Sequence, residues 1–147
     1  MDPSHTGTHP GPARDRSLSR AAQSVLLYDE DCGFCRWSLD KILAWDRGKR
    51  VRSVAIQSDE GSRLLAPIAP DARLDSWHLV RADGRLFSAG AAAEPLARLL
   101  PGGRPLAALF AAFPGVTERA YGLVARHRFL LARLLRVDAN CQVRPRA

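Results

Sequence analysis

Apolar positions along the chain fall into short blocks whose spacing changes from one block to the next. Val25-Leu26-Leu27-Tyr28 is a continuous apolar run that reads as a buried strand. It stops at Asp29-Glu30-Asp31. From Cys32 to about Asp46 the spacing turns helical: Cys35, Leu39, Ile42 and Leu43 share a face with Trp45 beside it, and Gly48 supplies a stop. Val51 to Ile56 reads as a second strand, with Val54 and Ile56 on one side. Ser58 can cap a short helix through Leu65, closed by Pro67. A strand–helix–strand unit of this kind predicts two parallel strands with a right-handed crossover.

Trp77 to Arg81 and Arg85 to Ser88 flank Ala82-Asp83-Gly84, a hairpin signal. A helix is predicted from about Ala91 to Leu100, with Pro95 near its start, where a missing N–H is tolerated. Pro101-Gly102-Gly103 ends it. Leu106 to Phe113 reads as a short apolar helix broken by Pro114-Gly115, and Thr117 as the cap of a long helix to about Val137. The predicted order is β-α-β-α-β-β-α followed by two further helices, an α/β class.

Residues 1–22 are rich in Pro, Gly, Ser, Thr and His and read as a disordered leader; residues 23–137 form one domain and 138–147 a flexible tail. The leader holds His5 and His9, too few ligands for a metal site. No apolar run approaches a membrane span of about 20 residues, and the leader lacks an apolar signal core, so a cytoplasmic protein is expected.

The chain has 147 residues and a formal net charge of +7. The charge is uneven. Residues 23–100 balance, whereas residues 101–147 carry many arginines against only Glu118 and Asp138. A basic surface throughout would have indicated nucleic acid. This distribution indicates a neutral body with a basic helical appendage. Arg119, Arg126 and Arg133 recur at a heptad spacing, with Arg136 beyond, and so lie near one face of the predicted long helix, opposite Val124, Leu131 and Leu135. A solvated face is the plain reading; a peripheral membrane surface or an acidic partner is the functional one. Specific nucleic-acid recognition is not expected.

Three cysteines rule out a secreted disulfide scaffold. Two of them form Cys32-Gly33-Phe34-Cys35, a C-x-x-C placed after a strand and at the start of a helix. There the unpaired N–H groups and the macrodipole stabilise an anion, so Cys32 is expected to be an exposed, nucleophilic thiolate. Cys35, one turn in, should point toward the core and resolve a mixed disulfide. Gly33 allows close approach of a substrate backbone. Phe34, between the cysteines, is a candidate substrate contact, as part of an apolar rim with Trp37 and Tyr28. The chemistry implied is dithiol–disulfide exchange with no cofactor beyond the dithiol. Asp29 is either a proton acceptor for Cys35 or the helix cap. Asp29, Glu30 and Asp31 together oppose the dipole and predict a reductant-like site with a modestly lowered Cys32 pKa.

Other readings carry less. Zinc would need a second ligand pair, and only Cys141, His78 and His127 remain. Arg36 after Cys35 excludes a c-type haem motif. A dithiol that only packs is a further possibility. Asp29-x-Asp31 after a strand resembles the nucleophile loop of haloacid-dehalogenase-like phosphatases, but Cys32-Gly33 stands where Gly-Thr is usual and no downstream Asp pair follows. His78, within a strand, reads as a structural histidine. Cys141 reads as incidental.

Asp29-x-x-Cys32-x-x-Cys35 after Val-Leu-Leu-Tyr resembles the signature of the DCC family of thiol–disulfide oxidoreductases, which have a thioredoxin-like fold. Ser76-Trp77-His78-Leu79-Val80, Asp83-Gly84 and Gly90-Ala91-Ala92 are similar to that family's middle segment, and Pro114-Gly115 with Tyr121 to Arg128 to its C-terminal helix signature. The likeness covers about residues 24–137. It implies a thioredoxin/glutaredoxin-like core, a disulfide-containing protein or low-molecular-weight thiol as substrate, and a substrate contact at Ser76 and Trp77. Ser76 stands where the wider thioredoxin-like folds have a proline before the third strand, and His127 where the family's run has Asn. A thioredoxin-like grip on protein substrates is therefore not expected. The alternative class is a noncatalytic binding module docking through the basic helix.

Overall fold

The computed structural model describes residues 23–137. Cys141 and the leader and tail lie outside the described residues. The strands are β1 (Ser24–Tyr28), β2 (Val51–Ala55), β3 (His78–Val80) and β4 (Leu86–Ser88). The α-helices are α1 (Gly33–Trp45), α2 (Asp59–Leu64), α3 (Ala93–Leu99), α4 (Arg104–Ala112), α5 (Pro114–Arg126) and α6 (Arg128–Leu134), with a 3₁₀ segment at Ala89–Ala92 before α3. The four strands form one sheet in the order β2-β1-β3-β4. β1 runs parallel to β2, with Ser24 opposite Val51, and antiparallel to β3, with Leu26 opposite Leu79. The predicted hairpin joins β3 to β4, with Gly84 at positive φ in its turn. This mixed α/β arrangement has the thioredoxin-like form.

Successive residues of a strand point to opposite faces, and β1 is apolar on both. Val25 and Leu27 pack with Val54, Ile56, Leu65 and Val80. Leu26 packs with Leu39, Leu79, Ala92 and Leu96 on the other face, under α1 and α3. The uninterrupted run in the sequence therefore reflects a central strand covered on two sides. Ser58 caps α2 as predicted, its hydroxyl accepting from the Gly61 N–H at 3.0 Å.

Three local expectations are corrected. The left-handed residue after α1 is Lys49, at φ 49°, rather than Gly48; Asp46 ends the helix and its carboxylate accepts from the Val51 N–H at 2.8 Å, so one buried side chain joins α1 to the start of β2. Pro114 does not break the chain into a loop but opens α5, where its missing N–H costs nothing. Thr117 is thus inside α5, bonded back to the Phe113 carbonyl at 3.0 Å.

The long C-terminal helix is also two helices. At His127 the backbone N–H is shared between the Leu123 and Val124 carbonyls, tightening the last turn, and the imidazole Nδ1 lies 2.8 Å from the Leu123 oxygen. α6 then turns to pack on α1, with Ala132 buried. Arg119 and Arg126 belong to α5, Arg133 to α6 and Arg136 to the turn beyond, so the four arginines do not line one face of a single helix. Nor is the apolar side buried: Val116, Leu123, Val124, Leu130, Leu134 and Leu135 are exposed, Leu134 to 79%. No helix of the described residues is long and apolar enough to cross a membrane.

Candidate active site

β1, a central strand, ends at Tyr28, and a tight turn leads from its C-terminal end into α1. Asp29 organises that turn. Its Oδ1 accepts from the Asp31 N–H at 3.0 Å and from the Gln57 amide at 2.6 Å, while Gln57 Oε1 accepts from the Glu30 N–H at 3.3 Å. Asp29 is therefore not the cap of α1, one of the two roles expected from the sequence. The cap is Cys32 itself, in extended conformation, whose Sγ accepts from the Cys35 N–H at 3.3 Å. A sulfur in this position receives both a backbone hydrogen bond and the positive end of the helix, and both favour the thiolate.

The expected exposures are reversed. Cys32 is 1% exposed, and Cys35 is half-buried. The reason is the cap: bonding to the Cys35 N–H turns Sγ of Cys32 inward over the first turn, leaving Cys35 on the outer side of the pair. Cys35 is nonetheless held protonated. Its thiol pKa is pushed well up, first by a hydrogen bond to the Cys32 sulfur, then by burial and by repulsion from a thiolate at Cys32; Asp29 adds to this and Arg128 opposes it.

Cys35 opens onto a cavity of about 450 Å³. Phe34, Ser76, Trp77 and Asp29 line it as well. Gly33 does not. It is buried, beside a separate hollow lined by Tyr28, Arg36, Trp37 and Asp40. The cavity walls are mainly apolar, with two aromatic pairs among them: Phe34 stacks on Trp37 with centroids 6.0 Å apart, and Trp77 stacks on Tyr121 at 5.9 Å. Among the described residues no group of three His, Cys, Asp or Glu side chains could hold a metal ion.

Tyr121, Arg128 and Gln57 belong to this site although the sequence reading gave them no role. The Tyr121 hydroxyl accepts from the Trp77 N–H at 3.0 Å, and burial raises its pKa. Gly90 makes that contact possible, because a Cβ there would stand 2.7 Å from the Glu118 Cα, where α5 crosses the 3₁₀ segment. A signal for Tyr121 and Arg128 did exist in the C-terminal run that carries the family likeness. His78, by contrast, is the expected structural histidine: 1% exposed, Nδ1 at 2.7 Å from the Ser88 hydroxyl and Nε2 at 2.9 Å from the Arg73 carbonyl, with its pKa lowered chiefly by burial.

Comparison with known proteins adds three findings. No solved structure matches significantly. An uncharacterized Bacillus subtilis protein, YuxK, is 31% identical over 107 residues, covering 71% of this chain and 77% of the relative. The model of the DCC1-like thiol-disulfide oxidoreductases matches residues 26–134, from the middle of β1 to the end of α6, so the segment that closes the cavity is included with the C-x-x-C. With the dithiol, the sheet and the closing helices all inside that match, the chain belongs to the DCC1-like thiol-disulfide oxidoreductase family.

Proposed function

We propose that this protein exchanges its dithiol with a substrate disulfide, Cys32 attacking and Cys35 resolving. The observation that carries the reading is the placement of the two sulfurs: Cys32 caps the helix start and receives the Cys35 N–H, while Cys35 opens onto the cavity. The Cys32 thiolate attacks one sulfur of the substrate, forming a mixed disulfide and expelling the other sulfur as a thiolate, which takes a proton from water. Cys35 then gives its proton to Asp29, which lines the same cavity, and attacks the Cys32 sulfur. The substrate's second thiolate leaves, and Cys32–Cys35 becomes the disulfide. Two protein thiols are oxidised as one substrate disulfide is reduced, and no cofactor is required. Because Cys32 is covered, its sulfur must be uncovered before attack, so alkylation is slower than the thiolate fraction alone would give.

Asp29, Glu30 and Asp31 crowd the thiolate with negative charge, which supports a reductant-like site working in the cytoplasm, where thiol pools recharge a dithiol. A Cys32 pKa near 4, measured by thiolate absorbance, would contradict that poise. The roles are tested by trapping. Cys35→Ser should accumulate mixed disulfides through Cys32, and Cys32→Ser should not. Trapping by Cys32→Ser instead reverses the roles; no trapping by either, with no cycling of the wild type, removes the exchange reading.

A second reading rests on the C-terminal helices. Exposed Phe113, Val116, Leu123, Leu130 and Leu134 lie among Arg119, Arg126, Arg133 and Arg136, a composition suited to the surface of an anionic membrane. Arg126→Glu with Arg133→Glu should abolish pelleting with anionic vesicles; unchanged pelleting, or none by the wild type, refutes it.

A further inference from the structure

The cavity beside Cys35 has a composition that names a class of substrate. Its volume of about 450 Å³ lies within the range of small-molecule sites. Phe34, Trp37, Trp77, Tyr121 and Phe110 supply aromatic surface. Such walls favour a planar ring, which can stack or meet an edge. They offer little to a hydrophilic peptide such as glutathione.

Two cations line this wall, the exposed Lys41 over the Trp37 ring and the half-buried Arg128. Arg128 is half-buried and lines the cavity, yet among the described residues its guanidinium makes no hydrogen bond and no ion pair; it lies over the neighbouring Phe129 ring, within electrostatic reach of Cys35 and Tyr121. Of the two acids lining the same cavity, Asp29 is already engaged by Gln57 and the Asp31 N–H, and the exposed Asp75 forms no ion pair with Arg128. A partly desolvated guanidinium favours a carboxylate, which it can bind through two parallel hydrogen bonds.

The backbone argues against an extended peptide in the same place. Strand addition needs free main-chain groups. At Trp77, where the third strand meets the site, the N–H is taken by the Tyr121 hydroxyl at 3.0 Å and the carbonyl by the Ala89 N–H at 3.2 Å.

We propose that this cavity binds a low-molecular-weight aromatic disulfide carrying a carboxylate, its ring against the aromatic side chains and its acid on Arg128, with the disulfide at the Cys35 end of the cavity, where Cys32 attacks once its sulfur is uncovered. The inference rests on the exchange reading above and specifies its substrate. The overall step balances as one substrate disulfide and two protein thiols giving two aromatic thiols and the Cys32–Cys35 disulfide.

The test follows oxidation of the reduced full chain by four disulfides in stopped flow: 5,5′-dithiobis(2-nitrobenzoic acid), aromatic and acidic; 4,4′-dithiodipyridine, aromatic and neutral; 2-hydroxyethyl disulfide, neither; and oxidised glutathione, acidic but not aromatic. Each rate is divided by that of the same disulfide with free cysteine, which removes differences in leaving group. The acidic aromatic compound should then exceed hydroxyethyl disulfide and glutathione at least tenfold and show saturation. Arg128→Gln should lower the ratio of acidic to neutral aromatic rates about tenfold, and Arg128→Lys should restore part of it. Ala93→Phe, which fills the cavity from α3, should lower the ratio of both aromatic rates to the hydroxyethyl disulfide rate. Equal normalised rates for all four, or an Arg128→Gln effect of the same size on each, overturn the cavity proposal while the exchange reading stands. Failure of every disulfide to oxidise the dithiol overturns the exchange reading and the cavity proposal with it.

Discussion

Gly90 and Gly122 provide a paired test of how α5 is held over the site. At Gly90 a Cβ would meet the Glu118 Cα at 2.7 Å, its N at 3.0 Å and its Oε2 at 2.5 Å. The carboxylate can swing aside; the backbone of α5 cannot. Ordinary carbon contacts lie at about 3.5–4.0 Å, so Gly90→Ala must part the 3₁₀ segment and α5 by roughly 1 Å. Overpacking of this kind costs about 1–3 kcal/mol. Movement of α5 also strains the Tyr121–Trp77 hydrogen bond, a contribution of about 0.5–1.5 kcal/mol. Against these stands the reduced freedom of the unfolded chain, worth about 0.4–1 kcal/mol when Gly becomes Ala at a permissive φ. The steric cost wins, and Gly90→Ala should lose about 0.5–4 kcal/mol, centred on about 2. Gly122 lies within the same helix with nothing within 4 Å of its Cβ position. There only the backbone effects remain, and Gly122→Ala should gain about 0.5–1 kcal/mol. Urea unfolding followed by far-ultraviolet circular dichroism gives both values, and hydrogen exchange at the Trp77 amide should accelerate in Gly90→Ala alone. A Gly90→Ala protein as stable as the wild type, or equal losses in both variants, would refute the argument that close backbone approach holds α5 in place.

Two further predictions concern protons. His78 is buried neutral and its pKa is lowered, so the unfolded chain binds a proton more readily than the folded one. Stability from this group is complete above its unfolded pKa of about 6.5 and falls as pH drops toward the lowered folded value; His78→Gln should flatten that part of the stability curve, and an unchanged slope would contradict it. Asp29→Asn keeps an oxygen for Gln57 and the Asp31 N–H but no longer accepts a proton from Cys35. Resolution of a preformed mixed disulfide should slow about 10²-fold at neutral pH and recover at high pH, where hydroxide substitutes; equal rates across the profile would remove Asp29 from the proton path.

How far the site could be read in advance depends on the range of the interactions that build it. The C-x-x-C is local: a strand, a three-residue acidic turn and a helix start lie within about a dozen consecutive residues, and period and capping rules act on that scale. Capping by Ser58 and the hairpin at Asp83-Gly84 are of the same kind. The expected burial of the two sulfurs was reversed because the Cys32 side chain itself caps the helix end. Asp29 is drawn away by Gln57, which comes from beyond β2, and this leaves Cys32 to take the cap.

By itself the sequence determined the α/β order, the parallel β1–β2 pair, the dithiol at a helix start and the family, since each follows from neighbouring residues or from a continuous run. The tertiary structure decided which sulfur is covered, where the C-terminal helix divides, and what surrounds Cys35. The division at His127 lets α6 return to α1, and α5 brings Tyr121 over Trp77 across 44 residues of chain. Those contacts arise from packing between surfaces distant in sequence, and a hydrophobic period specifies that a face is buried without specifying its partner. The basic C-terminal segment shows the difference most clearly. Read as one helix, it is a stripe of arginines; folded as two, it delivers Arg128 to the cavity wall beside the dithiol.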